Sequence, residues 1–178
     1  MSTEKEIVNK VASSGLVTFD LEDYYQPGER ILIDIKDWLY QELILKENEF
    51  REKLKQHDWV QYQNKFVAVT CTVDAIVPTW AFMLLATALQ PYAKMFFMGS
   101  LERLEERLFE ESLSRIHWND FKDRKVVVKG CSKVIVPTSI YVVVVSHLKP
   151  LVSSLMFGEP CSTVPIYKAP KSPPHLIK

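Results

Sequence analysis

Lys65-Phe66-Val67-Ala68-Val69-Thr70-Cys71-Thr72 is echoed further along the chain by Lys125-Val126-Val127-Val128-Lys129-Gly130-Cys131-Ser132. Each stretch is a nearly continuous apolar run that ends in a cysteine and a hydroxyl residue. Short runs of this kind read as strands buried on both faces, the habit of a parallel sheet covered by helices. The resemblance extends outward. Phe50, Glu52, Leu54 and Trp59 recur at one spacing as Phe109, Glu111, Leu113 and Trp118. At the two strands the spacing grows by one and then reverts, which aligns Cys71 with Cys131 and leaves Asp74 without a counterpart. Ile76-Val77-Pro78-Thr79 then answers Ile135-Val136-Pro137-Thr138, and Leu89, Pro91 and Gly99 answer Leu148, Pro150 and Gly158.

Residues 45–99 and 104–158 therefore read as two divergent copies of one unit. Each copy runs amphipathic helix (Glu47–Gln56 and 101–115), buried strand, cysteine loop, helix opened near a proline, Leu-x-Pro, short apolar strand and glycine. One segment is ambiguous in isolation. Ser139-Ile140-Tyr141-Val142-Val143-Val144-Val145 is rich in β-branched residues, as strands are. Its counterpart, Trp80-Ala81-Phe82-Met83-Leu84-Leu85-Ala86, is too long and too rich in Leu, Met and Ala for a strand. A common answer for both copies is helix, with burial overriding weak propensity in the second.

Ahead of the repeat, Thr3-Glu4-Lys5-Glu6 fits a capping box, Ile7, Val8 and Val11 share a helical face, and Gly15 fits a helix stop. Leu16-Val17-Thr18-Phe19-Asp20-Leu21 alternates like a strand, Tyr25-Gln26-Pro27-Gly28 is a turn, and Ile31-Leu32-Ile33 is a second strand. Residues 1–44 are thus expected to form a helix and an antiparallel hairpin, with Trp38 and Leu39 packing behind it. The expected fold is a single α/β domain over 1–168. Its internally duplicated αβαβ unit forms a mainly parallel sheet with helices on both faces, plus the N-terminal β-hairpin. The first strands of the two copies lie side by side at the centre, and their cysteine loops meet beyond the carboxyl ends. Residues 159–168 are a cysteine loop, and 169–178, rich in proline and lysine, a flexible tail.

Twenty-two basic residues balance 22 acidic ones in the 178-residue chain. No basic excess points to nucleic acid or to an anionic membrane surface. Net neutrality removes a barrier to self-association, which favours a homodimer. The N-terminus has no apolar stretch of a secretory signal, and no apolar run is long enough to span a bilayer. The expected location is the cytoplasm, where thiols stay reduced and placed cysteines suggest metal binding or catalysis.

All three cysteines share a context. Cys71 opens Cys-Thr-Val-Asp-Ala-Ile-Val-Pro, Cys131 opens Cys-Ser-Lys-Val-Ile-Val-Pro, and Cys161 opens Cys-Ser-Thr-Val-Pro. Each follows a strand, so a single parallel sheet places all three at one end, two of them ahead of helix N-termini that favour thiolate. Converging thiolates repel unless a cation neutralises them. Zinc or an iron–sulfur cluster supplies that charge, with Asp74 as fourth ligand or an open position holding water. The expected metal set is Cys71, Cys131, Cys161 and Asp74, with hydroxyls of Thr72, Ser132 and Ser162 donating to sulfur. Two other readings of the same cysteines stay open: reactive thiols without metal, and plain core packing, since free cysteine behaves as a small buried hydrophobe. No CxxC pair, phosphate loop or GxSxG elbow is present. His57, His117 and His147 fit packing better than ligation. Asp20, Glu22 and Asp23 fit a solvated strand edge better than a cation site.

At Asp34-Ile35-Lys36-Asp37-Trp38-Leu39, Asp74-Ala75-Ile76-Val77-Pro78-Thr79-Trp80-Ala81 and Gly158-Glu159-Pro160-Cys161-Ser162-Thr163-Val164-Pro165, the chain resembles a bacterial family known as domain of unknown function 2480. The likeness runs to about Lys168. It implies no named reaction and assigns no residue a role. Members of that family often neighbour genes of sulfur-mobilisation-type iron–sulfur assembly, which implies an accessory role in cluster assembly or metal handling, with iron–sulfur assembly proteins as partners. Two function classes therefore stand: a non-enzymatic metal- or cluster-binding accessory protein, and a thiol-dependent enzyme acting on a small molecule or persulfide.

Overall fold

The computed structural model describes residues 15–130, 132–159 and 161–170. In chain order they form β1 (Leu16–Asp20), β2 (Arg30–Asp34), α1 (Glu47–Gln56), β3 (Phe66–Thr70), α2 (Thr79–Leu89), β4 (Met95–Met98) and α3 (Leu101–Leu113). Then come β5 (Lys125–Lys129), α4 (Thr138–Leu148), β6 (Ser154–Glu159) and β7 (Ser162–Lys168). This is the expected mixed α/β class, with parallel strands flanked by helices. The strands divide between two sheets, and the chain between two compact units. One unit is inserted, residues 26–108; the other is split, comprising the described residues up to Tyr25 and those from Phe109 onward.

The inserted unit is built on the sheet order β2-β3-β4, all parallel. Its central strand β3 is apolar because both faces are covered. Val67 and Val69 pack with Ile33, with Phe50 of α1 and with Ala81, Leu85 and Leu89 of α2. Phe66 and Ala68, on the opposite face, pack with Leu104 and Leu108 of α3. Arg30 of β2 makes a two-pronged ion pair with Glu105 of α3, at 2.8 and 3.0 Å, and lies over the Phe66 ring. The fork geometry orients that pair better than a single contact would.

The split unit has the sheet order β1-β5-β6-β7, parallel except for β7, which runs antiparallel to β6. Phe19, Val126, Val128 and Leu155 of the sheet pack with Phe109 and Leu113 of α3 and with Ile140, Val144 and Leu148 of α4. The last three recur every fourth residue, so burial of one helical stripe fixes α4 despite its run of valines. The helix expected over Tyr141–Val145 is therefore present.

Elements in the two units recur at a constant 59-residue spacing: Phe66 and Lys125 open β3 and β5, Thr79 and Thr138 open α2 and α4, and Met95 and Ser154 open β4 and β6. The turns before the strands recur too. Asn64 and Asp123 both take a positive φ, near 60°, a conformation that short polar side chains tolerate. Their N–H groups donate to the Tyr92 and Leu151 carbonyls, again 59 residues apart.

Four expectations are corrected. Firstly, β1 and β2 do not form a hairpin. β1 pairs in parallel with β5 (Val17 with Val126), and β2 with β3 (Ile31 with Val67). Alternation tells which face of a strand is buried, not which strand it joins. Secondly, β3 and β5 belong to different sheets, so there is no shared centre at which their loops must meet. Thirdly, the one-residue shift that aligned Cys71 with Cys131 is absent. At the constant spacing Cys71 corresponds to Gly130, Thr72 to Cys131 and Asp74 to Lys133, so Asp74 is no insertion. Finally, most of residues 159–168 are not loop but the edge strand β7, whose Pro165 is tolerated because an edge strand can spare an N–H. The helix expected over residues 3–11, and the end of the tail, lie outside the described residues.

Leu148 is fully buried at the end of the α4 stripe. Leu148→Ala should lower unfolding free energy by about 2–5 kcal/mol, measured by urea denaturation. A change under about 1 kcal/mol would show that α4 does not pack on this core.

Candidate functional site

The chemistry-bearing residues sit at the carboxyl ends of the parallel strands in each unit. In the split unit Asp20 ends β1, Lys129 ends β5 and Glu159 ends β6. Lys129 Nζ lies 2.9 Å from Asp20 Oδ2 and 4.0 Å from Glu159 Oε1. The hydrogen bond and charge of Asp20 hold the Lys129 ammonium above its usual range, with Glu159 and Glu22 adding to the effect. Lys129 is thus a cation paired with Asp20 and approached by Glu159.

Next along the chain, Gly130 is packed against Tyr141, Leu21 and Val136. A Cβ there would fall 2.9 Å from the Tyr141 hydroxyl and 3.1 Å from Leu21 Cβ. A larger residue there would require the Tyr141 and Leu21 side chains to give way. The far side of the loop is held by one carboxylate oxygen. Glu22 Oε1 accepts from the Ser132 N–H, from the Ser132 hydroxyl at 2.8 Å and from the Lys133 N–H at 2.7 Å. The Lys133 N–H is the largest of the causes that together hold the Glu22 carboxyl below its ordinary range, against an opposing desolvation. Cys131 itself lies outside the described residues.

Cys161 is exposed in the tight connection between β6 and β7, where Glu159 pairs with Ser162. Because β5 and β6 are neighbours, with Val128 opposite Phe157, the segments leading to Cys131 and Cys161 leave the sheet from adjacent strands at one edge. Asp20 and Glu22, expected at a solvated strand edge, instead bind Lys129 and the loop after β5. That role depends on partners more than a hundred residues away, which local patterning does not register.

The inserted unit holds its loop by a similar device. Asp34 accepts from the Thr72 N–H at 3.2 Å and from the Thr72 hydroxyl. Burial works against the Asp34 charge, but these bonds and the Lys36 N–H hold its carboxyl below the usual range. Cys71 is half-buried against the core, its thiol 3.6 Å from the Val73 carbonyl. Asp74 is exposed. Residues 72–78 separate Cys71 from the start of α2 at Thr79, so Cys71 does not itself open a helix. Among the described residues no three His, Cys, Asp or Glu are grouped to hold a metal ion, and no helix is long and apolar enough to cross a membrane.

The family model described as "Protein of unknown function (DUF2480)" matches residues 5–169. The chain belongs to this family. No curated protein and no solved structure matches it.

In this DUF2480 chain His57 and His147 pack against aromatic rings. His57 stacks on Tyr62, with Nε2 2.7 Å from the Tyr62 hydroxyl, and lies against Trp38 and Trp59. Desolvation lowers its pKa from the ordinary histidine value. His147 stacks on Trp118 at 4.5 Å. Neither arrangement gathers other ligands.

Glu22 gives the site a pH signature. Its folded pKa lies below the ordinary 4.5, so its stabilisation is complete above that value and lost as pH falls through the depressed one. Glu22→Gln keeps an acceptor but removes the titration. On acidification from about pH 6 to pH 3, wild type should lose stability more steeply than Glu22→Gln. Parallel denaturation curves at every pH would show that Glu22 does not hold this loop.

Proposed function

We propose that this DUF2480 chain is a non-enzymatic accessory protein that holds a soft metal ion, zinc, or an iron–sulfur cluster through thiolates at the carboxyl edge of the split unit. Iron–sulfur assembly proteins are its partners in this reading. The observation that carries it is the pairing of β5 with β6, which sends the segments bearing Cys131 and Cys161 off neighbouring strands at one edge. Cys161 is exposed and so accessible to a metal or a partner. Sulfur donors suit zinc and iron–sulfur clusters. A metal held by these two thiolates keeps other positions for ligands from outside the unit, as a carrier needs. Cys71, half-buried in the inserted unit, reads as core packing, and Asp74 then has no role at the metal.

The exposure of Cys161 also favours a second reading, a thiol-dependent enzyme that uses Cys161 as a nucleophile toward a small molecule or persulfide. Elemental analysis of anaerobically purified protein separates the two. The metal reading expects about one equivalent of zinc per site, or about two or four of iron for a cluster, loss of retention by about tenfold or more in Cys161→Ser and Cys131→Ser, and none in Cys71→Ser. Metal-free wild type, or retention unchanged in Cys161→Ser, overturns it. A metal-free protein with one thiol that alkylates much faster than the others supports the enzyme.

A further inference from the structure

We propose that the face of the split unit formed by α4, β6 and β7 is the interface of a homodimer. This face carries an apolar trench of about 400 Å³, lined by Val136, Tyr141, Val145, Leu155, Phe157 and Ile166 among others. α4, β6, β7 and the loop leading into α4 also carry exposed apolar side chains. Ile135 is 87% exposed, Val142 66%, Val164 58%, Ile166 50% and Phe157 42%. Val164 lies opposite Phe157 on the paired strands, so the two extend one apolar surface from β6 onto β7.

The helix itself asks for cover. α4, Thr-Ser-Ile-Tyr-Val-Val-Val-Val-Ser-His-Leu, contains no Asp, Glu, Lys or Arg. A helix without charge on any side is ordinarily packed on more than one side. Only the stripe of Ile140, Val144 and Leu148 is fully buried within the unit. Its four consecutive valines lose side-chain freedom in a helix, and packing against a second surface offsets that.

The area argues for a second copy as the occupant. At roughly 100 Å² each, the five exposed side chains present on the order of 500 Å² of apolar surface, about the apolar share of the 800 Å² that one partner buries in a standard interface. An isologous contact sets a patch against itself, which an uncharged apolar face permits and a singly charged one resists. The chain as a whole carries no net charge to oppose the approach. The association uses the face of the sheet and not its edge, because Pro165 interrupts the outer edge of β7.

Sedimentation of the full chain at about 50 µM, above the micromolar range of a weak interface, tests this. Wild type should sediment at twice the 20.6 kDa of the chain. Val142→Lys on α4 and Ile166→Lys on β7 should each give a monomer with unchanged far-ultraviolet circular dichroism. Met83→Lys, at the corresponding position of α2 in the inserted unit, should remain dimeric. Monomeric wild type overturns the proposal. A dimer that survives both Val142→Lys and Ile166→Lys, or that only Met83→Lys dissociates, places the interface elsewhere and overturns it as well. None of these outcomes depends on metal content, so the dimer and the thiolate site stand or fall separately.

Discussion

Two parallel strands cannot be joined by a tight turn, because the chain must first travel back to the starting edge. The pairing of β1 with β5 and of β2 with β3 follows from that constraint. β1 and β2 are separated only by residues 21–29, yet each adds to its own sheet in parallel. Asp20 and Asp34 make this workable. Each caps a short 3₁₀ turn by accepting from the N–H two residues on, which turns the backbone away at the carboxyl edge of the sheet. β2 then meets β3 after α1, whereas β1 waits for β5, so the inserted unit falls wholly within the split one. Parallel pairing also puts the loops after β3 and β5 at carboxyl edges, where the cysteines are found.

Helices and buried strands were largely legible in the sequence, because their periods are local. The α1 stripe and the apolar runs of β3 and β5 announce themselves. α4 was legible only through its counterpart, since its valines read as strand. Strand partnership was not legible. Phe19 and Ile33 each stand one residue before the aspartate that ends their strand, yet they pack in different cores. The tempting match of Cys71 with Cys131 required a one-residue shift, and in a strand such a shift sends every side chain to the opposite face. Val67 and Val69 pack with α2 as Val126 and Val128 pack with α4, which supports the unshifted spacing. β7 was hidden by Pro165, which argues against a central strand but not against an edge.

The two cysteine-bearing loops are stitched to the fold by carboxylates rather than by apolar packing alone. Glu22 collects three donors from Ser132 and Lys133, and Asp34 collects two from Thr72. Charge-assisted bonds of this kind exceed neutral ones in strength, so these loops are held although they lie at the surface. Gly130 adds a steric reason by leaving no room for a Cβ beside Tyr141. The pairing of β5, which leads into one of these loops, with β6, which leads to the exposed Cys161, is the arrangement on which the proposed thiolate site rests. The apolar face of α4, β6 and β7 belongs to the same unit but makes a separate demand, for a partner surface.

The central claim is that β1 and β2 complete two different parallel sheets. Cross-strand nuclear Overhauser effects test it most directly. Contacts are expected from Val17 and Phe19 to Val126 and Val128, and from Ile31 and Ile33 to Val67 and Val69, with the staggered pattern of parallel pairing. Close contacts between β1 and β2 in antiparallel register, or between the backbones of β3 and β5, would contradict it.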